Sequence, residues 1–285
     1  MKKIAFVVLL ALSISGCASI VGKATDTFAQ NLGNAVLNSE DPATVRDALP
    51  AYLLLLDGLI SGQKPKDKSN VGVLLAAAQL NGAYAGNFTQ GDAVRAQRLS
   101  KKSLDYAKAA VCLSDTELCL ALDNDIDAFI SVVNRDNNTA LLYALASSWA
   151  GFLQSNSEDW GAIADLPKVE ALLMRVVLLD ANHERGLPYV YLGVINSLRP
   201  EALGGKPETG RAYFEKAIAI SDGKNLYAKT ALAQYYARLV FNQQLHDELL
   251  NEVINANPKA SGYTLINTLA QDLAKQLLTS GKDYF

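Results

Sequence analysis

Residues 189–196 read Tyr-Val-Tyr-Leu-Gly-Val-Ile-Asn. The aromatic at Tyr189, the Leu192-Gly193 pair and Asn196 one turn on lie along one helix. After Leu203-Gly204-Gly205-Lys206-Pro207 comes a second helix, with Phe214 and Ala217 on a shared face. Two such helices bury little apolar surface alone, so each pair needs a stacked neighbour to complete its core. The arrangement recurs downstream: Leu232-Ala233 and Tyr236, then Leu249, with Asn257-Pro258 closing the unit. Upstream it recurs as Leu145-Ala146 and Trp149 with Leu173 and Val176, and as Asn81-Gly82 and Tyr84 with Leu104 and Ala107. Helical periodicity, punctuated by Gly, Pro, Asn and Asp, predicts helices over 43–62, 71–87, 92–111, 124–134, 138–154, 165–180, 187–198, 207–220, 224–241, 243–256 and 261–279. Asp41-Pro42 reads as an N-cap with proline in the first turn. No stretch alternates as a strand does, so the fold class is all-α.

These pairs resemble divergent tetratricopeptide units, which implies a helical-hairpin repeat array, a solenoid rather than a compact bundle. The first helices of the pairs would then line a concave face. They carry Asn81, Tyr84, Trp149, Gln154, Asn196, Tyr235, Tyr236 and Arg238. An apolar groove with a few polar groups is how peptide and ligand sites look. Each aromatic has a second reading, as a core residue between repeats. Asn196 and Arg238, on otherwise apolar helices, either join helices or meet a ligand.

The beginning of the chain carries an address. Met1-Lys2-Lys3 is a short basic segment, Ile4 to Ile14 is apolar, and Ser15-Gly16 precede Cys17. The apolar run is too short to span a bilayer and reads as a secretory signal peptide over 1–16. The order Ile14-Ser15-Gly16-Cys17 resembles the bacterial lipobox, which implies acylation of the Cys17 thiol and a stable multi-chain membrane anchor. Residues 17–38 form the lipidated N-terminus and spacer, and 39–285 the helical domain. Ala18, where Asp would retain a lipoprotein at the inner membrane, directs the expectation to the periplasmic, inner leaflet of the outer membrane.

With 29 acidic against 26 basic residues, the net charge of −3 argues against a nucleic-acid partner, which calls for a basic face. In an oxidising compartment Cys112 and Cys119 read as a disulfide; metal ligation needs further ligands that the neighbouring sequence does not offer. Catalytic patterns are absent or broken. Ser61-Gly62-Gln63-Lys64 matches S-x-x-K but ends a helix. Gly204-Gly205-Lys206 is a fragment of a phosphate loop, spoiled by Pro207. Asp123-Asn124-Asp125-Ile126-Asp127 starts like a calcium loop but has Ala128 and Asn134 at key places, and a capped helix start explains it better. His183 and His246 stand apart, as surface or capping residues. Glu158, Asp159 and Asp165 read as solvated. Neither an enzyme nor a cofactor is expected.

Longer strings carry a family resemblance: Ala48-Leu49-Pro50, Leu54-Leu55-Leu56-Asp57-Gly58, Gln79-Leu80-Asn81-Gly82-Ala83-Tyr84, Ser148-Trp149-Ala150-Gly151, Asp159-Trp160 and Ile163-Ala164-Asp165-Leu166-Pro167-Lys168-Val169. Leu203-Gly204-Gly205-Lys206-Pro207, Tyr235-Tyr236-Ala237-Arg238 and Asp283-Tyr284-Phe285 complete them. Together they resemble the TRAP transporter-associated tetratricopeptide lipoproteins, the T component. The resemblance implies a non-enzymatic lipoprotein working beside a TRAP-type periplasmic substrate-binding protein, which hands small organic ligands to an ion-gradient-driven permease. It also implies self-association around a central pore, a trimer being one size open to it. A general scaffold for cell-envelope protein assembly is the alternative.

Overall fold

The computed structural model describes residues 31–62 and 67–285. The signal sequence and Cys17 lie outside the described residues, as do Gln63 and Lys64. A helical stretch over 31–37 leads to thirteen helices, and no strand occurs among the described residues. Helix α1 is Pro42–Ser61; the Asp41 carboxylate accepts hydrogen bonds from the amides of Ala43 and Thr44 at its start. Then follow α2 (Val71–Phe88), α3 (Ala93–Ser114), α4 (Thr116–Ala121), α5 (Ile126–Val133), α6 (Thr139–Ser155), α7 (Trp160–Ile163) and α8 (Leu166–Leu179). The rest are α9 (Leu187–Asn196), α10 (Pro207–Ile220), α11 (Leu226–Ala231), α12 (Gln243–Asn255) and α13 (Thr264–Tyr284).

The helices pack as pairs in a continuous stack: α2 with α3, α6 with α8, α9 with α10, α11 with α12. Each pair also touches the next, as α3 does α6 and α8 does α9. The Leu-Gly step of the opening motif shows why the pairs close so tightly. A Cβ on Gly193 would stand 2.7 Å from the Phe214 ring, so only glycine lets α10 seat that ring against α9. Phe214 is fully buried there. One main core runs through the stack from Leu74 to Tyr236, and a smaller cluster lies under α12 and α13.

Sequence periodicity overlooked α4 and α7. Both are too short to show a repeating stripe, but each has an aspartate cap: Asp115 accepts from the Leu118 amide, and Asp159 from Gly161 and Ala162. Cys112, near the end of α3, and Cys119, in α4, are joined in a disulfide across this corner. Asp125 caps α5 by accepting from the Ala128 amide, the use that helix geometry gives to the incomplete calcium-like string. Gly204-Gly205 makes a tight turn: Gly204 is left-handed, and a Cβ on Gly205 would collide with the Arg199 carbonyl.

The stack also returns on itself. Leu265 of α13 packs into a cluster with Val45, Leu49 and Leu53 of α1 and Tyr84 of α2. The Gly262 amide donates to Asn38 Oδ1 at 2.7 Å, and Lys259 pairs with Glu40 at 2.9 Å. The last helix therefore closes against the first, a feature without a local signal in the sequence.

Candidate interaction surface

The sequence-predicted groove residues do not form one open row. Tyr84, Trp149 and Tyr236 are 3%, 1% and 5% exposed, so the three aromatics are core residues. Their surroundings differ as well. Tyr84 lies at the α1–α13 seam against Phe88 and Arg95. Trp149 meets Phe129 edge-on and lies under the Lys108 ammonium at 4.8 Å. The Tyr236 hydroxyl donates to Glu208 at 2.7 Å. The matching register of these residues points into the gaps between helices, where apolar area is buried most completely. Asn81 is fully buried and donates to the Ala77 carbonyl. Asn196 is buried and donates to the Leu192 carbonyl and to Glu170 of α8, a link between helices. Gln154 is exposed on α6, and Tyr235 is partly buried.

Arg238 is different, and the cause is local. After α11 the backbone widens into a π-helical turn, Leu232–Ala237, which includes Tyr235 and Tyr236. Such turns insert a residue into the helical count, rotate everything downstream, and are frequent at functional sites. Arg238, the next residue, then reaches across to α13. Its guanidinium donates to the Leu277 carbonyl at 2.8 Å and to Ser280 Oγ at 2.7 Å, and it covers the Tyr284 ring. Burial pulls the guanidinium below its usual pKa. Its Nε donates to Nε2 of His246 at 3.2 Å, and His246 Nδ1 faces Asp247 Oδ1 at 2.8 Å. The expectation of a surface histidine fails here: His246 is fully buried, and its two polar neighbours satisfy both ring nitrogens. His183 is partly buried and meets Tyr143 edge-on.

Beyond Arg238 the chain turns sharply. The Phe241 amide donates to the Arg238 carbonyl and the Asn242 amide to the Ala237 carbonyl. That pair of bonds is a Schellman ending, whose left-handed position normally holds glycine. Here it holds Phe241, at φ +54°. A bulky side chain in this region is strained, and strain of this kind collects at functional positions. The ring projects outward, 70% exposed, beside Val240 at 37% and Tyr284 at 43%. It stacks on Tyr284 with centroids 5.6 Å apart, and Phe285 meets both of these rings edge-on. The result is an exposed aromatic cluster in which Arg238 covers the Tyr284 ring and His246 meets Phe285 edge-on. Sequence reasoning found Arg238 and the Asp283-Tyr284-Phe285 string but missed Phe241; its signal was a phenylalanine directly before Asn242, where a helix must end.

No group of three or more potential metal ligands occurs among the described residues, and no helix among them is long and apolar enough to cross a membrane. What the arrangement offers is a contact surface on a helical-hairpin repeat protein of the tetratricopeptide-like class. The chain belongs to the TRAP transporter T-component family, whose model matches residues 38–285. Its role is thereby that of an accessory component of a TRAP transport system. No curated protein matches it.

Proposed function

We propose that this chain is a non-enzymatic, lipid-anchored periplasmic component of a TRAP-type transport system and docks the system's substrate-binding protein through the Phe241 face. The family match over 38–285 is the observation that carries this reading. The Phe241 face adds the physical means: exposed aromatics beside an arginine have the composition of binding hot spots. Acylated Cys17 supplies the membrane anchor, with the inner leaflet of the outer membrane as its site. Self-association around a pore, as a trimer or otherwise, belongs to the same reading.

Two experiments test it. Cross-linking in native membranes followed by purification through this chain should recover a TRAP-type substrate-binding protein; recovery of outer-membrane assembly factors in its place would favour the general envelope scaffold. For the anchor, Cys17→Ser should leave an unprocessed or soluble protein. A variant that still fractionates with membranes and migrates as the mature form would overturn the lipoprotein assignment.

A further inference from the structure

Helix α1 breaks the usual rule for a surface helix. Val45, Leu49 and Leu53 face the seam with α13 and α2. Its opposite side should be polar. Instead, the outward positions of the second half are Ala51, Leu54, Leu55, Gly58 and Leu59, spaced so that they form one stripe. Leu54, Leu55 and Leu59 are 71%, 57% and 48% exposed. The only acid in that half of the helix, Asp57, is turned away from the stripe. Its carboxylate accepts from the Tyr106 hydroxyl at 2.7 Å and pairs with Lys102, both on α3. The stripe is therefore apolar and free of charge.

We propose that this stripe lies on the bilayer to which the protein is anchored, as a second, shallow membrane contact. The inference rests on the lipid-anchored reading above. Residues 18–41 separate Cys17 from α1, so a helix with an uncovered leucine face follows the anchor within a short stretch of chain. Three leucines and two small residues on one helix fall well short of the roughly 800 Å² per partner that a stable protein interface buries. A bilayer contact does not need that area. The anchor holds the face close to the surface, so the contact forms at high effective concentration, and a weak intrinsic affinity suffices. With Asp57 withdrawn into its clamp, no carboxylate of this half-helix opposes anionic headgroups.

The test uses the full acylated chain in vesicles of phosphatidylethanolamine and phosphatidylglycerol carrying a photoactivatable phospholipid. Lipid adducts are mapped by mass spectrometry. The expected result is labelling of the peptide that spans Ala51–Leu59, reduced at least tenfold in a Leu54→Ser/Leu55→Ser/Leu59→Ser variant. These side chains are exposed, so the variant should keep its helical circular dichroism; the single Leu54→Ser variant, with a partial reduction, serves as a second reading. Adducts confined to the acylated N-terminal peptide, with α1 unlabelled, would overturn this inference and leave the anchor standing. An unmodified Cys17 together with unlabelled α1 would overturn both. Cross-linking of α1 to a second copy without lipid adducts would make the stripe an oligomer interface and overturn it as well.

Discussion

The Trp149 indole is enclosed by Phe129, Lys108 and the packed helices around α6, with 1% of its surface left to solvent. Truncation to alanine should leave a cavity and cost about 3–5 kcal/mol, measured by denaturant unfolding. A change below about 1 kcal/mol would show that the ring is not a core element. Phe241 should behave oppositely. Phe241→Gly relieves a left-handed strain worth about 1 kcal/mol or more while losing the stack on Tyr284, so stability should move by no more than about 1 kcal/mol. Docking should fall all the same, since the ring is outside the core. At this scale the sequence was only half legible. It placed Tyr84, Trp149 and Tyr236 at equivalent helical positions, but register alone does not say whether a position faces a groove or a neighbouring helix. His246 was misread because its neighbours come from elsewhere in the chain: Arg238 bonds its ring, and Gly281 and Phe285 pack against it.

Among the elements, the paired helices were readable because each carries an apolar stripe long enough to repeat. Short elements and backbone irregularities were not: α4 and α7 complete too few turns, and the π-helical turn keeps the composition of ordinary helix. The corner between α3 and α4 gives an element-scale prediction. Cys112→Ser with Cys119→Ser should lower stability by about 2 kcal/mol, near the lower end for a short loop, since little chain entropy is removed by closing it. Chemical unfolding of the two proteins side by side checks this; an unchanged midpoint would mean that α4 is held by Leu118 and its cap alone. In the α9–α10 pair, Gly193→Ala should cost about 1–3 kcal/mol, because its Cβ drives against the Phe214 ring. A stable alanine variant would show that the two helices can separate without penalty.

For the molecule as a whole, the α1–α13 seam joins segments at opposite ends of the chain, and no local pattern announces such a contact. Enclosed tyrosines add a pH dependence. Burial raises the pKa of Tyr143 and Tyr227, and burial together with the hydrogen bond to Asp57 raises that of Tyr106. A raised folded-state pKa means that the stabilisation is complete below the ordinary tyrosine value of about 10 and is lost as pH rises above it, because the unfolded chain gives up its protons first. Tyrosinate absorbance from these residues should therefore lag behind that of free tyrosine and appear together with loss of helix; their titration in the intact fold would contradict their place in it. The central claim, that a T-component family member engages a TRAP-type substrate-binding protein through its Phe241 face, is tested most directly by one affinity comparison. The full chain, Phe241→Ala and Trp160→Ala are titrated with that binding protein, Trp160 being an aromatic 87% exposed at the start of α7. The expected result is binding by the full chain, a loss of about 2 kcal/mol or more for Phe241→Ala, and little change for Trp160→Ala. Absence of binding by the full chain, or equal binding by all three proteins, would contradict it.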